Sequence, residues 1–303
     1  LVKRDDAWLR EEQVRAVREH ARKVLERADA LGCFPTPIDQ ILESEEIFVA
    51  PDNIFDDGFI KKMVKKAGGL LKTAISKVVG LFDALDRTIF INTSLPKPKI
   101  PFLKLHEAGH AVMPWQAKMY KIVQDCDQTL DPEISEQFDS EANRFATEVL
   151  FQLDSFGEMA NSYEFGIKAP LKAGKKFGAS AYSSVRRYVK GSRRPCMVVV
   201  LNPPSPSANG FDAEVRRYER SDEFVEMFGQ VEFSSNVTPE SPLGFLVPLG
   251  DRRMSGTHTF YLKDLNGDTR QCVAEAFATP YQVFILIFDI GKLRAKRHFI
   301  STV

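Results

Sequence analysis

The sequence predicts an α+β protein, with a mainly helical domain carrying a small β-sheet over residues 1–190 and a β-rich domain over 191–303. Three observations lead there. Apolar residues recur at helical spacing over 8–31, 133–153 and 171–190. Beyond "GSRRP" the pattern changes to short β-branched and aromatic runs bounded by Gly, Pro and Asn. The chain has 303 residues and a hydrophobic fraction of 44%, enough apolar material for about two domains.

Taken in order, residues 8–31 form one long helix that stops at Gly32, with Pro35 and Pro37 beyond it. "TPIDQILES" is a short helix with Thr36 as N-cap and Pro37 at the first helical position, and "EIFVAP" after it is a strand. Over 59–85 a broad apolar stripe lies opposite six lysines; against a membrane-surface or nucleic-acid helix, it is read as a helical segment packed on the domain with a solvated face, interrupted at Gly68-Gly69. "RTIFIN" is a strand, and the proline-rich "SLPKPKIP" leads into the helix "FLKLHEAGHAV", which ends near Met113 because Pro114 cannot continue it.

In the second domain "CMVVVL", "GQVEFSS", "LGFLVPL", "GTHTFYLKDL" and "QCVAEAF" read as strands and "NPPSPSANG" as a loop. Asn266-Gly267 marks a hairpin turn. "YQVFILIFDI" is apolar on both faces, as a central buried strand is.

The charge balance is even, 41 basic against 41 acidic side chains, which removes a global electrostatic case for nucleic acid. No apolar run reaches the ~18 residues of a membrane span, and the first thirty residues are charged throughout, so no secretory signal is read there. Cys33, Cys126, Cys196 and Cys272 are far apart and form no CxxC pair, which fits reduced thiols. The expected setting is the cytoplasm, with no membrane partner.

His106 and His110 stand four residues apart on the "LKLHEAGHAV" helix. One helical turn puts them on the same face, so both imidazoles can be directed at one ion. Glu107, rotated by about 100°, can reach a water beside that ion. Neutral imidazole suits Zn²⁺, and a carboxylate next to it is the general base that hydrolysis of a carbonyl compound needs. Ala108 and Gly109 are small and let the helix lie close to its neighbours.

A catalytic zinc takes a third protein ligand, and "EISEQFDSEANRFATEVLF" is the source in sequence. On its helical wheel Asp139, Ala142, Asn143, Ala146, Val149 and Leu150 share a face of small and apolar character, while Glu141, Phe145, Glu148 and Gln152 share a more polar one. Asp139 is therefore the first choice and Glu141 the alternative, with Asn143 placed to hydrogen-bond a ligand.

"DRTIFINTSLP" and "FLKLHEAGHAV" followed by "EANRFATEVLF" resemble the ImmA/IrrE family of zincin-like metallopeptidases, in which an HExxH helix precedes an acid-x-x-Ala-Asn-x-Phe-Ala helix. The likeness covers roughly 30–155. The family's usual third ligand is a glutamate four residues before the Asn, where this chain has Asp139, and that departure leaves Glu141 open. The resemblance implies cleavage of one partner protein, often a helix-turn-helix repressor, in response to DNA damage or to phage or other stress. The β-rich tail resembles the GAF-like sensor domain of IrrE- and CapP-like members, the latter controlling anti-phage operons.

Other residues bear on control and partners. Cys126 lies between the two ligand-bearing segments, where its thiolate either occupies the open zinc position as an inhibitory ligand or is an ordinary loop thiol. Cys196 and Cys272 fall in strands and belong to the core. His20, His258 and His298 have no neighbour at metal spacing. The basic stretch over 175–194, with Tyr182 and Tyr188 interleaved, and "KLRAKR" over 292–297 read either as solvated charge or as a single-stranded DNA site using charge and ring stacking. Tyr120 and Tyr163 are both available to stabilise an oxyanion.

The reading that results is a zinc endopeptidase with Glu107 as general base, His106, His110 and Asp139 as metal ligands, and a specific protein substrate. The alternative is a non-catalytic regulatory protein that senses a ligand or DNA on the same zinc-bound fold.

Overall fold

The computed structural model describes residues 9–50, 80–92, 95–125 and 130–291. The 59–85 lysine-rich segment is therefore largely outside the described residues, and Cys126, His298 and the 292–297 basic run are wholly so. Helical structure dominates the N-terminal part and an antiparallel, curled half-barrel sheet the C-terminal part, which is a mixed α+β architecture. Two compact units are present. One runs up to Phe156 and includes Gly174–Ser180, and the other comprises Gly157–Ala173 and the chain from Ala181 onward.

In the first unit the elements are α1 (Glu11–Arg27), α2 (Ile38–Ser44), β1 (Phe48–Val49), β2 (Gly80–Asp83), β3 (Thr88–Ile91), α3 (Ile100–Val112), α4 (Pro114–Asp125) and α5 (Pro132–Leu150). The small sheet has order β1-β3-β2, with β1 parallel and β2 antiparallel to β3. Alternation places Ile89 and Ile91 of β3 inward, where they meet Leu103, Ala108 and Ala111 of α3 and Leu42 of α2 in one apolar cluster. α1 buries Val17, Ala21, Val24 and Leu25 and packs along α5, whose other side meets α3.

Local chemistry sets the boundaries of these helices. α5 begins where Asp131 accepts a hydrogen bond from the Glu133 backbone N–H at 2.9 Å, with Pro132 in the first turn. Pro114 ends α3 as expected and also opens α4, where a missing N–H costs nothing. Thr36 is not the cap of α2: its hydroxyl donates to the Leu150 carbonyl at 2.8 Å, and Pro37 takes the N-cap position. A tertiary acceptor has won over a local one.

The expected 171–190 segment is two helices, α7 (Lys168–Phe177) and α8 (Ala181–Lys190), preceded by α6 (Ser155–Asn161). Gly178 separates them at φ +72, with an added Cβ falling 3.1 Å from Pro35, so a side chain would be strained in that turn.

The second unit's sheet contains β4 (Cys196–Leu201), β5 (Ser205–Ser207), β6 (Gly210–Arg220), β7 (Asn236–Val237), β8 (His258–Lys263), β9 (Thr269–Ala278) and β10 (Val283–Asp289), with α9 (Asp222–Phe228) between β6 and β7. The order along the main path is β5-β6-β4-β10-β9-β8, and β7 pairs with β6. β10 is buried at every position and lies between β4 and β9, as its two-faced apolar run predicts. Gly267 at φ 89 closes the β8–β9 hairpin.

Two expected strands are absent. "GQVEFSS" is irregular, and "LGFLVPL" forms a 3₁₀ turn at Gly244–Leu246. Gly244 is pressed so close to the Thr238 carbonyl that a Cβ would lie 2.1 Å from it. Conversely, β6 and the short β5 fall where a charged segment and a loop hid the pattern. In β6, Phe211 and Ala213 point inward between Asp212, Glu214 and Arg216.

Candidate metal centre

α3 carries His106, Glu107 and His110, and α5 carries Asp139. Gly109 lets the two helices meet: a Cβ there would lie 3.2 Å from the Ala142 Cα and 3.2 Å from the Phe145 ring. One turn before Ala142, Asp139 is brought beside the histidines. Its Oδ1 is 3.7 Å from His110 Nε2 and 4.0 Å from His106 Nε2, and the two Nε2 atoms are 3.3 Å apart. One ligand atom of each residue lies within 4.8 Å of the others.

The hydrogen bonds behind the ring nitrogens decide what these atoms offer. His106 Nδ1 faces Asn143 Oδ1 at 3.0 Å, and His110 Nδ1 faces Gln116 Oε1 at 2.6 Å. Both partners are carbonyl-type acceptors, so each Nδ1 carries the proton and each Nε2 points a lone pair inward. Two imidazole lone pairs and a carboxylate oxygen converging repel one another unless a cation lies among them. This is the donor set Zn²⁺ takes.

Burial adds to the case. It holds the His106 and His110 imidazoles down, to about 4 and about 3, so both stay neutral, the form that can ligate a metal. Glu107 is pushed up to about 8, first by burial and then by the charge of Asp139. A divalent cation would oppose that shift and favour the carboxylate. His110 is buried, whereas the Asp139 side chain is 59% exposed, so the centre is open to solvent on the Asp139 side.

The wheel reading of α5 needs correction. The face taken to be polar is buried as well, with Glu141, Phe145, Glu148 and Gln152 all nearly inaccessible, because α1 covers it. Its polar groups are satisfied there. Gln152 receives the Gly32 N–H at 2.8 Å and donates to the Cys33 carbonyl at 2.7 Å, and Glu148 pairs with Arg18 and Arg144. Glu141, the alternative ligand, lies outside the metal-capable group and accepts from Gln13, Trp115, Gln116 and Gln137.

Of the two tyrosines, Tyr120 is at the centre: its ring packs edge-on to His110 with centroids 5.2 Å apart. Burial, Asp139 and Glu107 hold its phenol above the ordinary tyrosine range. Tyr163 belongs to the other unit, under the Lys172 ammonium. Gln116 went unnoticed in the sequence; its only signal is its place just past Pro114, one turn and a half beyond His110.

The other residues singled out in sequence lie outside this cluster. Cys196 and Cys272 are buried in strands, with thiols pushed up to about 11 and about 12 by burial. His20 packs on Trp115 and His258 on Phe245. In the 175–194 stretch Tyr188 is buried against Phe165, and Tyr182 is engaged by the Arg186 and Arg216 guanidiniums.

The His106-Glu107…His110-Asp139 cluster matches the spacing and chemistry of an HExxH zincin catalytic site, and the protein carries a zincin-like metal-binding triad. Among known proteins, no family description and no curated protein matches the chain. A solved structure, a Mycobacterium tuberculosis transcriptional regulator, is similar in fold with a TM-score of 0.52 at 14% identity, over 95% of this chain and 80% of that one. No helix among the described residues is long and apolar enough to cross a membrane.

Proposed function

We propose that the protein is a zinc-dependent endopeptidase of the ImmA/IrrE type that cleaves one partner protein, a helix-turn-helix repressor, in the cytoplasm in response to DNA damage or phage stress. Residues 1–190 form the peptidase domain and 191–303 a GAF-like sensor domain. The observation that carries this reading is the convergence of His106 Nε2, His110 Nε2 and Asp139 Oδ1 beside Glu107.

His106, His110 and Asp139 would hold Zn²⁺, which would supply a Lewis acid able to polarise a peptide carbonyl and acidify water. Glu107 takes a proton from the attacking water as its oxygen bonds to the carbonyl carbon, then delivers that proton to the amine as the C–N bond breaks. Tyr120 donates its phenolic hydrogen to the carbonyl oxygen as charge develops there. Asn143 and Gln116 hold the two imidazoles in the ligating tautomer.

The experiment is zinc analysis with a cleavage assay against repressors encoded beside the protein. Purified protein should hold one zinc per chain, and Glu107→Gln should abolish cleavage while zinc is retained. Protein with no stoichiometric zinc would remove the proposal. A second reading, a non-catalytic ligand- or DNA-sensing regulator on a zinc-bound fold, draws support from the fold shared with a transcriptional regulator. Under it Glu107→Gln leaves the regulatory phenotype intact. Single-stranded DNA contact through 175–194 would then rest on charge, since Tyr182 and Tyr188 are both engaged.

A further inference from the structure

Glu141 has the chemistry of a metal ligand, yet it lies two residues past Asp139 on the same helix, about 200° around it. It faces α1 and the start of α4. Four neutral N–H donors converge on its carboxylate: Trp115 Nε1 and Gln116 Nε2 at 2.7 Å each, Gln137 Nε2 at 3.1 Å and Gln13 Nε2 at 3.2 Å. No ion pair to it is formed among the described residues, although it is only 2% exposed. So many donors around one buried acid, with no cation among them, ask for a purpose beyond packing.

Gln116 supplies it. This amide is fully buried, and its Nε2 donates both to Glu141 and to the Phe138 carbonyl at 3.3 Å. Flipping the amide would set its oxygen against two acceptors, so the orientation is locked. Gln116 Oε1 must then face His110 Nδ1, 2.6 Å away, and can only accept. His110 is thereby left with its proton on Nδ1 and its Nε2 lone pair toward Asp139 and His106.

We infer that Glu141 is a positioning residue, the fixed end of a relay Glu141–Gln116–His110 that imposes the metal-ligating tautomer on His110. The relay rests on the zinc-site reading given above for its purpose, but its effect on the imidazole exists without metal. His106 has a simpler arrangement, one amide from Asn143 on the facing helix. The two ligands are thus held unequally, and His110 is the one whose state is set through a buried carboxylate. A hydrogen-bonded partner behind a ligating imidazole also raises its basicity, and losing such a partner costs roughly 10–100-fold in metal affinity.

The test has a metal-free arm and a zinc arm. Long-range ¹⁵N–¹H spectra of the metal-free wild type should show His110 as the Nδ1–H tautomer, and Gln116→Leu should move it toward Nε2–H. Competition with a chromophoric chelator should show zinc affinity falling about 10–100-fold in Gln116→Leu. Glu141→Gln keeps an acceptor for the Gln116 amide, so its loss should be smaller; it also serves if Gln116→Leu does not fold. A merely structural role predicts lower melting temperatures with an unchanged tautomer and affinity, and that result overturns the inference. So does a wild-type His110 protonated on Nε2. Wild type that shows the Nδ1–H tautomer but binds no zinc sustains the relay and rejects the peptidase reading instead.

Discussion

At the scale of single residues, chemistry here depends on which atoms are left facing inward. Tyr120 is one such group. Its ring lies against His110, and burial with the nearby Asp139 and Glu107 carboxyls keeps the phenol protonated, so it has a hydrogen to donate near neutral pH. Tyr120→Phe should therefore lower kcat by about 10²–10³ with KM nearly unchanged, the usual loss for one oxyanion donor; equal kcat in a cleavage assay rejects the role. The histidines and Glu107 were legible in the sequence because HExxH is complete within one helix and needs only its 3.6-residue turn. Tyr120 was a candidate in sequence but could not be told from Tyr163, and Gln116 was not seen, since nothing in sequence tells how α4 turns after Pro114. Asp139 was reached in sequence by a wheel that placed it on a packed face, whereas its side chain is 59% exposed and the close approach of α3 and α5 at Gly109 brings it to the histidines.

At the scale of elements, α5 is held from both sides, and each side makes its own prediction. On the α3 side, Gly109→Val drives a branched side chain into the Ala142 backbone, with an expected stability loss of about 1–3 kcal/mol by urea unfolding and weakened zinc binding through separation of His110 from Asp139. On the α1 side, the fully buried Glu148 holds both Arg18 and Arg144. Glu148→Ala should cost about 1–3 kcal/mol in the same measurement, because it strands Arg144 while Arg18 keeps its pairing with Asp154; a loss under about 0.5 kcal/mol counts against that pairing. The polar stripe of α5 is misleading in sequence for this reason: polarity marks a surface only when no neighbour arrives with matching donors. The β-strands show the same limit. β10 was legible because both its faces are apolar, but β6 was missed because Glu, Arg and Asp fill its outward positions, and Gly244 turns an apolar run into a 3₁₀ turn by close approach to the Thr238 carbonyl.

At the scale of the whole molecule, the two units should answer to different agents. The sheet unit closes its β8–β9 hairpin on Asp264, whose Oδ1 accepts from the Asn266 and Asp268 N–H groups at 3.0 Å each and whose Oδ2 accepts from Arg270 Nε at 2.8 Å. The Arg270 hydrogen bond, against the opposing cost of burial, holds this carboxyl below its ordinary value. A carboxyl lowered on folding stabilises the fold fully above its unfolded pKa, and that contribution fades as pH falls through the lowered value. The melting-temperature gap between wild type and Asp264→Asn should therefore be open at pH 7 and close in strong acid; a gap that is the same at both ends contradicts the assignment. The helical unit should respond instead to metal. Ligand that binds only the folded state adds RT ln(1 + [L]/Kd), about 4 kcal/mol when free zinc exceeds Kd a thousandfold. Because His106, His110 and Asp139 come from α3 and α5, that energy resists separation of those two helices. Chelation should lower the unfolding midpoint followed by Trp115 fluorescence in a Trp8→Phe background, since Trp115 bonds to Glu141 of α5. Asp139→Ala should bring the midpoint to nearly the same value with or without zinc. If the chelator shifts wild type and Asp139→Ala equally, the ion lies somewhere other than between these helices.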